Sequence, residues 1–162
     1  MKITGLAVSN FTAFEEAVFD FVKGVNVLIG SNGTGKSLIM KLLYSVMRAP
    51  VDARLAGKKP DTDRLRDTLH EVFRLESPNF ENLVRKAGEL RNASIEVRTT
   101  KASYEFGFGF SGASELPAPT FSGPKGCVFI PPADVLAMFE GFAQLYEKYQ
   151  LKIDKTYYDL CK

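Results

Sequence analysis

The opening stretch Lys2 to Asn10 carries the apolar residues Ile3, Leu6, Ala7 and Val8 among polar ones. After a turn near Thr12, the segment Glu16 to Val22 sets Val18 and Phe19 among charged neighbours, and the two stretches together predict a pair of strands. Lys23-Gly24 turns the chain into Val25 to Ile29, apolar apart from Asn26, which predicts a central strand covered on both faces. Past residue 37 the period changes. Leu38, Ile39, Leu42, Leu43 and Val46 recur at helical spacing, and the predicted helix runs to about Arg48 because Ala49-Pro50 pushes the chain out of the helical region.

Residues 50 to 60 carry no period. Asp61 or Thr62 can cap a helix bearing Leu65, Leu69, Val72 and Phe73, with Pro78 as its stop, and Asn79 can cap a shorter one through Leu83 and Val84 to about Gly88. Two strands follow, Ser94 to Thr99 and Ser103 to Phe110, joined by a turn at Thr100 to Ala102. In the second, Tyr104, Phe106, Phe108 and Phe110 share one face. An adenine-stacking platform is conceivable there, but aromatics at period two are expected to be a sheet face packed on a helix. Ser111 to Gly126, with Pro117, Pro119 and Pro124, predicts a flexible surface loop. Cys127 to Ile130 predicts a short buried strand closed by Pro131-Pro132. A helix is then expected from near Ala133, with Val135, Phe139, Phe142, Tyr146 and Tyr149 on one stripe and Gly141 as a weak point. Asp154 to Cys161 is expected to be helical. There is no solenoid repeat and no heptad.

The junction between the Val25 to Ile29 strand and the first helix carries the chemistry. Gly30-Ser31-Asn32-Gly33-Thr34-Gly35-Lys36-Ser37 matches G-x-x-x-x-G-K-[ST] at every fixed position, between a strand pattern and an amphipathic helix as that motif requires. Its glycines allow backbone conformations and close approaches that let successive N–H groups face a polyphosphate. Lys36 is expected to reach the β- and γ-phosphates as a compact charge, and Ser37 to offer its hydroxyl to Mg²⁺. The helix N-terminus turns its dipole on the same anion, with the Leu38 N–H a further donor. The expected ligand is Mg-ATP or a related nucleoside triphosphate.

Composition narrows this little. The chain has 162 residues, 45% of them hydrophobic and 25% charged, as in an ordinary soluble domain, and Lys plus Arg (21) nearly balance Asp plus Glu (19). A nucleic-acid partner is therefore not argued by charge. Arg48, Arg54, Lys58, Lys59, Arg64 and Arg66 are interrupted by Asp52, Asp61, Asp63 and Asp67, the mixture of a solvated surface. Cys127 and Cys161 lie far apart without metal-ligand spacing, and the single histidine, His70, reads as a surface or half-buried helix residue. With no signal-peptide pattern and no apolar run of bilayer length, a cytoplasmic protein that does not enter membranes is expected.

Hydrolysis needs a second carboxylate-bearing strand to hold Mg²⁺ and a group that orients water. No four-residue apolar run ending in Asp follows residue 37: Val18-Phe19-Asp20 precedes the loop, and Cys127 to Ile130 runs into two prolines before Asp134. Asn-Lys-x-Asp and Asp-x-x-Gly, typical of small GTPases, are absent as well. A small kinase would suit the length, but such enzymes place the loop on their first strand, whereas two strands precede it here. The residue pattern thus leaves the catalytic residues unknown.

The opening Ile3-x-x-Leu6-x-Val8-x-Asn10-Phe11-x-x-Phe14, followed by Gly24 to Ser37 with Asn-Gly inside the loop, resembles the ABC-like ATPases of the RecF, SMC and OLD type. Phe129-Ile130-Pro131-Pro132-Ala133-Asp134-Val135-Leu136 and Tyr157-Tyr158-Asp159-Leu160 resemble the mid-region of bacterial AAA family ATPases of this type, a group linked with abortive infection and toxin–antitoxin systems. The resemblance implies an α/β fold: the N-terminal lobe of a P-loop NTPase, a mixed sheet with flanking helices, here incomplete, with residues 1–162 forming a single partial lobe. It implies ATP and Mg²⁺ as ligands, head-to-tail dimers around ATP, and a DNA, toxin or effector partner. No signature motif, Walker-B strand, switch histidine or convincing Mg-contacting glutamine is found, since Gln144 and Gln150 fall in a predicted helix. A fragment, or one half of a split system, is therefore expected, with self-association through an exposed sheet edge and little hydrolysis by this chain alone. The competing expectation is an interaction module that uses nucleotide without hydrolysing it.

Overall fold

The computed structural model describes residues 2–76, 79–87, 91–109, 114–130, 139–149 and 155–161. Strands β1 (Ile3–Phe11) and β2 (Phe14–Asp20) form the expected pair, and β3 (Ala93–Thr99) and β4 (Ser103–Phe108) form a second hairpin. A two-residue strand, β5 (Ser114–Glu115), completes a sheet of order β2-β1-β3-β4-β5 in which every pairing is antiparallel. Register follows the pleat. Leu6 lies opposite Phe19 and Val97, and Val8 opposite Ala17 and Ile95, so Leu6, Val8, Ile95, Val97, Tyr104, Phe106 and Phe108 form one buried face. The aromatic row of β4 is thus a packed sheet face; Phe110 lies outside the described residues. The opposite face keeps Glu16, Glu96 and Glu105 in water.

Helix α1 (Lys36–Leu55) and helix α2 (Thr62–Phe73) cover that apolar face. The expected stop at Ala49-Pro50 does not occur, and α1 continues through the proline to Leu55. An interior proline costs about 3 kcal/mol in an isolated helix. Here Ala49, Pro50, Val51 and Ala53 are all buried, Arg48 and Asp52 pair at 2.9 Å across the proline, and Arg54 donates to the carbonyls of Ser122 (3.1 Å), Pro124 (2.9 Å) and Lys125 (3.1 Å). Tertiary packing outweighs the local preference. Those contacts also pin the described part of the Ser/Gly/Pro-rich segment, as do buried Leu116 and Phe121 and the hydrogen bond from the Tyr104 hydroxyl to the Pro117 carbonyl.

α2 starts as expected: Arg64 N–H donates to Asp61 Oδ1 at 2.7 Å. It ends before Pro78, because Arg74 turns left-handed (φ 55°) and Leu75 N–H donates back to the His70 carbonyl at 3.0 Å. The His70 ring lies against Phe80, with centroids 4.7 Å apart and the planes tilted by 44°. Instead of an Asn79-capped helix, only a 3-10 turn forms at Glu81–Leu83. The backbone here serves β1: Thr12 N–H donates to the Leu83 carbonyl (2.9 Å) and Arg85 N–H to that of Asn10 (2.8 Å).

Two expected strands are not formed. Val25 to Ile29 joins no ladder among the described residues, and Val25, Val27 and Ile29 are 87%, 72% and 91% exposed. Cys127 to Ile130 likewise pairs with nothing among the described residues; Phe129 packs on Tyr44 while Val128 and Ile130 face outward. Apolar composition gives a segment the capacity for central-strand burial, but burial needs ladder partners on either side. Helices α3 (Phe139–Tyr149) and α4 (Lys155–Cys161) follow, and Gly141 does not split α3. The start expected at Ala133 lies outside the described residues. Among the described residues, no helix is long and apolar enough to cross a membrane.

Candidate functional site

The approach to the loop is set by a side chain. Asn26 folds back on the Lys23-Gly24 turn, its Oδ1 accepting from Val22 N–H at 2.9 Å and its Nδ2 donating to the Val22 carbonyl at 3.0 Å. The chain then runs into the loop, where Gly33 (φ 82°) and Gly35 (φ 88°) adopt left-handed conformations open to few other residues. Gly35 is the N-cap of α1, and its carbonyl accepts from Leu38 N–H (2.9 Å) and Ile39 N–H (3.1 Å).

Lys36 curls over the loop. Its ammonium donates to the carbonyls of Gly30 (2.6 Å) and Ser31 (2.5 Å), while Thr34 Oγ1 donates to the Ser31 carbonyl at 2.9 Å. Gly30, Ser31, Thr34 and Lys36 are thereby drawn together. Asn32 and Gly33 form the exposed crown, and nothing lies within 4 Å of where a Cβ on Gly33 would stand. Ser37 is exposed on the first helical turn. Leu38 differs from expectation, because its N–H is engaged by the Gly35 carbonyl and its half-buried side chain packs on the core.

This donor set fits an anion. At the start of α1 the Lys36 and Ser37 N–H groups precede the first bonds of the helix, which Leu38 and Ile39 make to the Gly35 carbonyl; the helix dipole is positive at that end, and Lys36 adds a full charge. No residue from Gly30 to Leu38 is acidic. Asn32 and Gly33 are exposed, and a serine hydroxyl stands one residue from the lysine, where a phosphate-bound Mg²⁺ could meet it.

A second cluster, which the sequence pattern did not single out, lies further along α1. The Tyr44 hydroxyl donates to Asp159 on α4, and Arg48 bridges Asp159 (3.5 Å) and Asp52 (2.9 Å) while also donating to the Cys127 carbonyl at 3.4 Å. Burial, reinforced by the bond to Asp159, pushes the Tyr44 phenol well above its ordinary range. Burial acts to lower Arg48, but Asp159, Tyr44 and Asp52 outweigh it and hold the guanidinium charged. Together with the Lys155–Glu71 ion pair, the cluster docks α4 on α1 and α2. Asp159 carries no local signature of such a role, since its partners are more than 100 residues away in sequence.

Burial pushes the Cys127 thiol up to about 11 from 9.0. An unfolded chain releases that proton first, so it holds fewer protons than the native state between these values, and native stability falls as pH rises from 9 through 11. The expected result is a lower urea midpoint at about pH 10.5 than at about pH 8, with part of the difference removed in Cys127→Ala; an identical pH dependence in that variant would contradict it.

A family model described as the AAA ATPase domain matches residues 1–101. A curated relative, the DNA double-strand break repair Rad50 ATPase of Pyrococcus abyssi (strain GE5 / Orsay), is 32% identical over 120 residues, covering 64% of this chain and 14% of its own length. The chain thus spans about one-seventh of that relative. Among solved structures, the recombination mediator protein RecF-ATP of the RecFOR pathway aligns with a TM-score of 0.51 at 18% identity, over 91% of this chain and 36% of that one. A structure from work on ATP-driven dimerization and DNA stimulated activation of SMC ATPases aligns at 14% identity with a TM-score of 0.45, over 70% and 67% of the two chains.

Proposed function

The chain belongs to the AAA ATPase domain family, and on that premise we propose that it is the Mg-ATP-binding lobe of an ABC-like ATPase of the RecF, SMC and Rad50 type. The observation that carries this reading is the loop itself: two left-handed glycines and a lysine gathered at the N-terminus of α1, with no acidic residue among them. Gly30 to Ser37 would cradle the phosphates, with the Lys36 and Ser37 N–H groups at the start of α1 among the donors. Lys36, whose ammonium lies on the Gly30 and Ser31 carbonyls, would hold the β- and γ-phosphates, and Ser37 would hold Mg²⁺. Mg-ATP supplies the phosphoanhydride that water cleaves. This chain's part is to bind and orient it, and the carboxylate that holds the metal and the group that orients water come from another segment or chain. Titration calorimetry of the purified protein with ATP, with and without Mg²⁺, tests the reading: Mg-dependent binding with negligible turnover is expected, and ordinary steady-state hydrolysis would show that a catalytic carboxylate is present here.

The exposed row Val25, Val27 and Ile29 favours a further element of the same reading. Three aliphatic side chains facing water next to the loop are an interaction surface, so the lobe self-associates or receives a partner chain there. Sedimentation velocity is expected to show mass increasing with concentration, and less so for Val27→Lys; a strictly monomeric profile at high concentration would count against it. A nucleotide-dependent interaction module that does not hydrolyse ATP is the alternative that this surface supports.

A further inference from the structure

Of the three loop glycines, Gly35 alone is approached at its α-carbon by side chains from another part of the fold. A Cβ at Gly30 would meet only Thr34 and Lys36 of the same loop, and one at Gly33 would meet nothing within 4 Å. A Cβ at Gly35 would stand 2.6 Å from Phe14 Cε2, 2.8 Å from Phe14 Cζ and 3.4 Å from Ala13 Cβ. The far edge of the Phe14 ring therefore occupies the side of Gly35 where any other residue carries its side chain.

That ring is held from behind. Phe14 meets Phe19 edge to face, with centroids 6.1 Å apart at 84°, and its backbone pairs with Phe11 at the closed end of the β1–β2 hairpin. The hairpin turn is unusual. Asn10 (φ 50°) and Thr12 (φ 48°) are both left-handed, a rare state for a β-branched residue, and Thr12 Oγ1 is buried with no hydrogen-bond partner among the described residues. Such a turn persists only where its surroundings over-determine it. Here they do: Thr12 N–H donates to the Leu83 carbonyl, Arg85 N–H to the Asn10 carbonyl, and Phe11 is fully buried between them.

We propose that Phe14 is a positioning residue for the nucleotide site: the over-determined β1–β2 turn holds its ring against Gly35 and so fixes the left-handed residue at which the phosphate loop becomes helix α1. This rests on the proposed Mg-ATP reading and adds to it the element that sets loop geometry. The side-chain hydrogen bonds of Thr34 and Lys36 run within the loop, so the ring supplies a reference point outside it. Without the ring, Gly35 samples other backbone states, and the N–H groups of the first helical turn no longer converge before the anion arrives.

The test compares Phe14→Val, which suits a strand but is too short to reach Gly35, with Phe14→Met, which restores reach. Two readouts are taken on the full chain: the dissociation constant for Mg-ATP, and amide hydrogen exchange of Gly33 to Ile39 without nucleotide, referenced to β3 and β4. Phe14→Val is expected to weaken Mg-ATP about 10-fold and to speed exchange at Gly33 to Ile39 by a similar factor. Exchange in β3 and β4 should not change, and Phe14→Met should recover most of both effects. Unchanged exchange and affinity in Phe14→Val would overturn the inference, as would acceleration spread equally over β3 and β4, which marks general loosening. Failure of the wild type to bind Mg-ATP would overturn the nucleotide reading, and the exchange comparison would still decide whether Phe14 fixes the loop.

Discussion

Lys36→Ala is expected to weaken Mg-ATP binding by about 100-fold, corresponding to roughly 3 kcal/mol for the charge-assisted hydrogen bonds of the ammonium. The effect is large because the ammonium is the one full positive charge in Gly30 to Leu38 and has no substitute in that segment. It has a second component. In the nucleotide-free loop Lys36 also ties the carbonyls of Gly30 and Ser31, so alanine releases the crown as well as removing the charge. Lys36→Arg separates the two, because guanidinium keeps the charge but not the compact shape that fits over those carbonyls. Calorimetry should place Lys36→Arg between the wild type and Lys36→Ala. Equal ATP affinity for Lys36→Ala and wild type would remove the site from Gly30 to Ser37.

Phe11→Ala is expected to destabilise the fold by about 3–5 kcal/mol, enough to leave much of the chain unfolded at ambient temperature. Phe11 is fully buried, meets Phe73 edge to face at 6.2 Å and lies 6.3 Å from Phe108, so it joins the end of β1 to the last turn of α2 and to β4. Its removal leaves a cavity where three elements meet, and those elements are fixed by their own ladders and caps and collapse only in part. Val18→Ala, at a position 61% exposed on β2, is the control and should shift stability by less than about 0.5 kcal/mol. Urea unfolding followed by circular dichroism reads both, and a shift below about 1 kcal/mol for Phe11→Ala would show that the junction repacks.

Elements with local causes are legible in the sequence alone. The β1–β2 and β3–β4 hairpins follow from alternation, and the start of α2 follows from the Asp61 carboxylate over its first turn. The aromatic row Tyr104, Phe106 and Phe108 is the buried sheet face that period two implies. Local patterns mislead where a distant contact overrides a local preference. Pro50 should stop α1, yet it is enclosed by Gly123 and by the carbonyl contacts of Arg54, so the helix continues. The end of α2 is a local matter too, but one set by the left-handed Arg74 and the Leu75 N–H on the His70 carbonyl rather than by Pro78. Val25 to Ile29 has the composition of a central strand but faces water, because composition cannot provide the neighbouring strands.

The candidate site divides along the same line. By itself, the sequence determined that residues 30 to 37 form a loop of left-handed glycines leading into a helix, with a lysine able to reach back over it: glycine conformation, helix capping and side-chain reach act within a few residues. Only the tertiary structure decided which ring abuts Gly35, that Tyr44 and Arg48 bind Asp159 and dock α4, and which apolar segments stay exposed. Those outcomes depend on residues tens to more than a hundred positions apart meeting in space, and that meeting is set by how the sheet and α1 pack, which no local pattern encodes.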